Sequence, residues 1–278
     1  MTSFLNTTIK IQHDVPTDAK ALIVIIHGMA EHSARYRPVV EFLKAQGLGC
    51  CTFDQRGHGT HVVSESDRGD VASFQDFVND AAMAIESARV ANPTLPIFVW
   101  GHSMGAIIAT LTAAQVAAVS PGKIRGVMTS SAPVAAFDFV PKFALRILKW
   151  LSYVIPKFRV ARPFKPERLS RDLQVGLRYD QDPLVPKSTS LRLLVLLAEA
   201  STNCLRVARK LRTPWLVLHG SSDEVAPPIG SQRLFDALAS KDKQIRLWPD
   251  ARHEVHNEIE PTRTEFLMCM VEWVKERM

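Results

Sequence analysis

From residue 22 onward the chain repeats one pattern: a short continuous apolar run, then a longer stretch with apolar side chains at helical spacing. The runs cover residues 22–26, 49–53, 96–100, 124–129, 215–218 and 244–248. They stop at His27-Gly28, Asp54, Gly101, Ser130-Ser131, His219-Gly220 and Pro249-Asp250. Runs this short and this uniformly apolar predict strands buried on both faces, as in a parallel sheet. The intervening stretches 36–46, 74–90, 104–119, 230–239 and 261–278 predict helices. Strand and helix in alternation predict an α/β domain with a mostly parallel, doubly wound sheet. In such a domain functional groups collect beyond the carboxyl ends of the strands.

Residues 135–211 break the rhythm. They contain no clear strand, and Pro141, Pro156, Pro163, Pro166, Pro183 and Pro186 cut them into short helices. The expected organisation is a core of residues 1–134 and 212–278, with 135–211 as a helical cap inserted between two sheet strands and lying over their carboxyl ends. No internal repeat or low-complexity tract is present.

With 46% hydrophobic and 22% charged residues among 278, the chain can bury a large core and is not of disordered composition. No run of about 18 uncharged apolar residues occurs, so no membrane-spanning helix is expected. The first 20 residues lack a basic segment followed by an apolar one, so no secretory signal is expected, and the cytoplasm is the expected location. Cys50, Cys51, Cys204 and Cys269 make no Cys-x-x-Cys pair and read as reduced core residues, with neither a disulfide framework nor a metal site. The net charge of +6 is local, because residues 142–212 carry 16 Lys and Arg against 5 Asp and Glu and leave the remainder net acidic. No recognition helix, zinc finger or RNA-binding motif accompanies that basicity, so nucleic acid is not an expected partner.

The sharpest chemical signal is Gly101-His102-Ser103-Met104-Gly105, which follows a predicted strand and opens a predicted helix. That is the context in which G-x-S-x-G presents a serine nucleophile. Ser103 must sit in a tight turn, and Gly101 and Gly105 lack the side chains that would crowd it. The dipole of the following helix favours negative charge nearby. A serine hydroxyl also needs a base, and the base an orienting acid. Asp223, beyond the run 215–218, and His253, beyond 244–248, supply them from strand ends in the order serine, acid, histidine. Glu224, Asp250 and His256 are their rivals. Glu224 starts one residue further along its loop, Asp250 lies too close in sequence to orient His253, and His256 directly precedes the C-terminal helical stretch. A tetrahedral intermediate needs two backbone donors, for which the amides of Met104 and Met29 are expected. The side chains of these two methionines either line an acyl channel or pack in the core.

The residues from His27 to Tyr36 (H-G-M-A-E-H-S-A-R-Y) resemble the H-G-x-G-E-H-S-x-R-Y segment of monoacylglycerol lipases and related lysophospholipases. Asp54 to Gly59 resembles that family's D-x-R-G-H-G, and Gly101 to Gly105 its G-H-S-M-G. Leu169 to Asp172 and Tyr179 to Val185 resemble its cap, while Leu218 to Asp223 and His253 to Glu258 resemble its acid and histidine segments. The similarity runs in matching order from Leu22 to Glu258. It implies an α/β-hydrolase fold with a helical cap. It also implies a serine esterase that releases a fatty acid from a monoacylglycerol or lysophospholipid through an acyl-enzyme, without cofactor or metal. Further, it implies that Glu31, Arg35, His102 and His256 contact the glycerol end of the substrate or support the oxyanion loop. Three residues depart from the family pattern: Ala30 and Ala106 replace glycines, and Arg252 replaces a frequent aromatic residue. The competing functions are a carboxylesterase or peptidase of the same architecture and a non-catalytic lipid-binding relative.

One cap helix carries a separate expectation. Lys142, Arg146 and Lys149 share a face at i, i+4 and i+7, and Phe143, Leu145, Ile147, Leu148, Trp150, Leu151, Val154 and Ile155 cover most of the rest. Such a surface belongs over a pocket, on a bilayer or against another subunit, since burying each side chain is worth roughly 1.5–3 kcal/mol. A basic stripe beside Trp and Leu is the pattern of a helix lying on anionic lipid, so peripheral contact with the inner membrane face is one expectation. A cap helix with a merely solvated basic face is the other.

Overall fold

The apolar runs are strands, and their neighbours explain why both faces are apolar. The computed structural model describes residues 9–162 and 164–278, the side chain of Lys142 excepted. Its strands are β1 (Ile11–Asp14), β2 (Ala21–Ile26), β3 (Leu48–Phe53), β4 (Ile97–His102), β5 (Gly126–Ser130), β6 (Arg159–Ala161), β7 (Ser188–Ser190), β8 (Trp215–Gly220) and β9 (Lys243–Trp248). The main sheet has seven strands in the order β1-β3-β2-β4-β5-β8-β9, parallel except for β1. Along β2 the side chains alternate between two cores. Leu22, Val24 and Ile26 pack with α2 (Phe74–Ala91) and α3 (Met104–Val119), while Ile23 and Ile25 pack with α1 (Arg37–Ala45) and α8 (Thr262–Lys275). This is an α/β-hydrolase fold.

The chain leaves β2 for β3 on one side and then crosses to β4 on the other, so the strand order reverses between β2 and β4. A crevice opens at such a switch point, beyond the carboxyl ends of the strands. The loops that meet there begin at His27 and Ser103. Gly105, in the first turn of α3, brings that helix to backbone distance from β2, because a Cβ there would fall on the carbonyl oxygens of Ile26 and His27.

Between β5 and β8 the chain forms α4 (Lys142–Val154), α5 (Leu173–Gln181) and α6 (Leu191–Ala208). Two features differ from the sequence expectation. β6 and β7 pair antiparallel within this segment, at three residues each too short to leave a readable period. α6 does not merely lie over the strand ends: Leu193, Leu197, Ala200, Cys204 and Ala208 join the same core as α3. α7 (Ile229–Ala237) follows β8. β1 was missed because Ile-Gln-His-Asp is a half-exposed edge strand with one strongly apolar residue. Among the described residues no helix is long and apolar enough to cross a membrane.

Gly105→Ala is expected to cost about 1–3 kcal/mol by forcing α3 away from β2. Urea denaturation measures this, and an unchanged midpoint would contradict the close approach.

Candidate active site

β4 ends in a strained turn. Ser103 has φ of 53°, in the left-handed region that side chains avoid, at the junction of β4 and α3. Its amide donates to the Ser130 carbonyl (2.9 Å), which pins the turn to the end of β5. Gly101 and Gly105 make the turn possible, since a Cβ on Gly101 would strike the Gly105 carbonyl. The amide of Met104, the first residue of α3, has no intrahelical acceptor. In the facing loop Ala30 has φ of 58°, so alanine adopts the left-handed turn where the resembling family has glycine, at a cost of about 1–2 kcal/mol.

Beyond β8 lies Asp223. Its Oδ1 accepts from the amides of Val225 and Ala226, both at 2.8 Å, and its Oδ2 accepts from His253 Nδ1 at 2.7 Å. His253 follows β9 and is 4% exposed. The Ser131 hydroxyl donates to its carbonyl at 2.7 Å, so the residue just beyond β5 braces the histidine loop as Ser130 braces the serine turn. Ser103 and His253 line one cavity, and no hydrogen bond joins their side chains among the described residues. Such contacts are often long before substrate binds.

The rivals lie elsewhere. Glu224 lines the cavity but is exposed and paired with Arg168 at 3.0 Å. Asp250 sits at φ of 57° on an exposed turn held by Ser221. His256 is buried away from the cavity lining, stacked on Tyr36 with ring centres 5.2 Å apart.

Burial alone lowers the basicity of a histidine. At His253 the charge and hydrogen bond of Asp223, helped by Glu254 and Glu31, outweigh it, and the pKa rises above the ordinary value. Burial pushes Asp223 up, but the charge of His253 and the hydrogen bonds from both His219 and His253 hold it far below the usual carboxylate range. His102 and His256 have no such carboxylate contact. Burial takes His256 down to about 4, and burial with its histidine neighbours takes His102 well below the ordinary value. An imidazole kept basic and oriented by a buried carboxylate, next to a serine in a strained turn, is the arrangement that generates an oxygen nucleophile.

The four residues expected at the glycerol end divide into two pairs. Glu31 and His102 line the cavity, whereas Arg35 and His256 stand behind them. Glu31 Oε1 accepts from the Gly28 amide and from the Tyr36 hydroxyl (3.0 Å). Arg35 bridges Glu31 (2.8 Å) and both oxygens of Glu254 (2.8 and 2.9 Å), and lies 4.7 Å over the Tyr179 ring. The pair of carboxylates thus ties the His27 loop to the residue after His253. Sequence reasoning missed Glu254, Tyr179 and the Ser130–Ser131 pair. Their roles come from contacts across the fold, and the signals were the position of Glu254 beside His253 and that of Tyr179 in the segment resembling the family's cap.

The cavity occupies about 430 Å³, and its walls away from Ser103 are apolar, among them Phe137, Val140, Leu145, Leu148, Leu194 and Leu197. Residues 17–260 match the family described as serine aminopeptidase S33. The chain belongs to that family of α/β-hydrolases. It is therefore a serine hydrolase. It is 33% identical over 274 residues to the monoacylglycerol lipase of Mycolicibacterium smegmatis, covering 96% of this chain and 93% of that one. The crystal structure of Paleococcus ferrophilus monoacylglycerol lipase superposes with a TM-score of 0.83 at 29% identity, covering 98% of this chain and all of that one. An uncharacterised abhydrolase domain-containing protein of Dictyostelium discoideum is 31% identical over 259 residues, and the chain spans 26% of its length.

In this serine hydrolase, Arg35→Met would leave Glu31 and Glu254 buried without their cation. The expected loss is about 3–5 kcal/mol of stability, read by denaturant unfolding. Arg35→Lys is expected to recover only part of it, because a single ammonium cannot bridge both carboxylates in the same bidentate geometry. Wild-type stability in Arg35→Met would contradict the bridge.

Proposed function

We propose that this serine hydrolase cleaves monoacylglycerols, releasing a fatty acid and glycerol through an acyl-enzyme on Ser103. The observation that carries the reading is the Asp223–His253 hydrogen bond, placed beside Ser103 at the polar end of an apolar cavity. His253 takes the Ser103 proton as the hydroxyl attacks the ester carbonyl. Asp223 holds the imidazole by Nδ1–H and stabilises the imidazolium. The amides of Met29 and Met104 receive the oxyanion, each donor worth about 3 kcal/mol in the transition state. The imidazolium then protonates the departing glycerol oxygen, and the acyl group stays on Ser103. Water, deprotonated by His253, attacks the acyl-enzyme, and collapse of that second intermediate frees the fatty acid and restores the serine.

Residues 135–211 act as the cap, supplying Phe137, Val140, Leu145, Leu148, Val160 and Phe164 to the acyl wall. At the other end Glu31 and His102 face the glycerol, with Arg35 and His256 supporting them. Tyr179 lines the same cavity, and its hydroxyl is buried without a hydrogen-bond partner among the described residues. The names of the Mycolicibacterium and Paleococcus relatives support the substrate class. The charges around the site favour a neutral head group. Arg35, the cation behind this end, is consumed by Glu31 and Glu254, and Glu224 is paired with Arg168. Among the described residues lining the cavity no lysine or arginine is present to hold a phosphate, and burial raises the pKa of Glu31, which disfavours the charged carboxylate that a peptide amino terminus would need. Monoacylglycerol is thus favoured over lysophospholipid and over an aminopeptidase substrate.

Three results are expected. Monooleoylglycerol is hydrolysed with a higher kcat/KM than lysophosphatidylcholine. A fluorophosphonate labels Ser103, and Ser103→Ala loses activity by roughly four orders of magnitude or more. kcat/KM falls on the acid side with an apparent pKa above that of an ordinary histidine, because His253 must be neutral to accept the proton and its pKa is raised. An inert Ser103 would overturn the reading.

The cap also supports docking on an anionic bilayer. α4 turns Leu145 and Leu148 toward the cavity and leaves Phe143 (67%) and Trp150 (64%) exposed, beside Phe139, Ile147, Tyr153 and Phe158. Of the three basic residues expected on this helix, Arg146 is exposed, Lys149 is paired with Glu199 of α6, and the side chain of Lys142 lies outside the described residues. Phe143→Ser with Trp150→Ser is expected to lower sedimentation with phosphatidylglycerol vesicles roughly tenfold or more. Hydrolysis of a short soluble ester should be unchanged. Vesicle binding insensitive both to this double substitution and to salt would reject the docking surface.

A further inference from the structure

The carboxylate of Asp223 meets two imidazoles. His219, one residue before the end of β8, is fully buried and places Nε2 3.0 Å from Asp223 Oδ2 and 2.9 Å from the Ala226 carbonyl. Its Nδ1 lies 2.6 Å from the hydroxyl of Ser231, in α7. Two oxygens that can only accept face Nε2, so Nε2 carries the proton and donates. Nδ1 of the neutral ring then accepts from Ser231, whose hydroxyl can serve either way. With the Val225 and Ala226 amides on Oδ1, every acceptor direction of Asp223 is filled.

Resting on the reading that Asp223 and His253 serve Ser103, we propose that His219 is a positioning residue: it locks the Asp223 carboxylate in the orientation His253 needs and limits how strongly His253 holds its proton. The physical chain is short. A donor on Oδ2 spreads the negative charge that would otherwise bear on His253 Nδ1–H. Without that donor the carboxylate attracts the imidazolium more strongly, so the histidine loses its proton at higher pH. The carboxylate also gains freedom to turn away from Nδ1. The other charged or titratable groups facing His253 are His102 from the end of β4, Glu254 beside it, His256 in the same loop and Glu31 from the loop after β2. His219 itself faces Asp223 and, at longer range, His102. A substitution at residue 219 leaves all of these residues in place, and of them only Asp223 loses a direct contact.

The test compares wild type, His219→Leu and His219→Gln in monooleoylglycerol hydrolysis across pH, with rates normalised to fluorophosphonate-titrated Ser103. His219→Leu is expected to move the acid limb of kcat/KM upward by roughly one pH unit. It is also expected to lower kcat roughly 10- to 100-fold with KM little changed. His219→Gln, which keeps a donor near the Nε2 position, should return the limb toward wild type. A limb that stays in place in His219→Leu, with only stability lost, overturns the proposal. Should the leucine variant not fold, nitrogen-15 shifts of the wild-type protein decide: His219 protonated on Nε2 supports the proposal, and protonated on Nδ1 alone overturns it. Wild-type enzyme inert to the fluorophosphonate overturns the underlying catalytic reading and this proposal together, so the two failures are distinguishable.

Discussion

One buried hydrogen bond, from His253 Nδ1 to Asp223 Oδ2, joins the fold to the chemistry. It exists because β8 and β9 run parallel and adjacent, with Gly220 opposite Trp248, so the loops beyond them leave the same edge side by side. Gly220 is part of that closeness, since a Cβ there would strike the carbonyls of Ala251 and Arg252. β5 and Ser131, the residue just beyond it, supply none of the three residues assigned to proton transfer, yet they bind their loops together. The Ser130 carbonyl holds the Ser103 amide, the Ser131 amide donates to Leu218 of β8, and the Ser131 hydroxyl donates to His253. The strand between nucleophile and acid is a brace.

Environment, not residue type, separates the histidines around this edge. His102 stands 4.8 Å, ring to ring, from both His253 and His256, and all three are buried. Burial should make each a poor base. Of these three, His253 alone touches a buried carboxylate, and it alone is raised while the other two are lowered. The same principle limits the charge that the cavity offers: Arg35 offsets one of its two carboxylates, and burial beside Glu254 raises the pKa of the other, Glu31, toward its neutral form.

Strands β2 to β5 and β8 were legible in the sequence because they are buried on both faces and read as short apolar runs, with β4 stopping at a turn whose glycines have a physical reason. Helices 74–90 and 104–119 were legible for the same reason of period and length. β1 and the β6–β7 pair were not, since an edge strand of mixed polarity and two three-residue strands carry no period. The packing of α6 against α3 was hidden too, because a basic, proline-cut segment gives no sign that its last helix turns back into the main core. Within the site, Ser103, Asp223 and His253 stand at strand ends where topology alone brings them to one rim. Glu254, Tyr179 and Ser131 enter through contacts made only when distant loops meet, and a single sequence has no means of displaying those. Ala30 marks the limit of motif reading: its residue type argues against the left-handed turn it adopts.

The most direct test is to quench the enzyme within its first turnover of monooleoylglycerol and measure the mass of its peptides. One oleoyl group is expected on the peptide carrying Ser103, formed at the rate of glycerol release and absent in Ser103→Ala. Glycerol released with no acyl group ever on that peptide, or with the group on a different side chain, would contradict the assignment of Ser103 as the nucleophile.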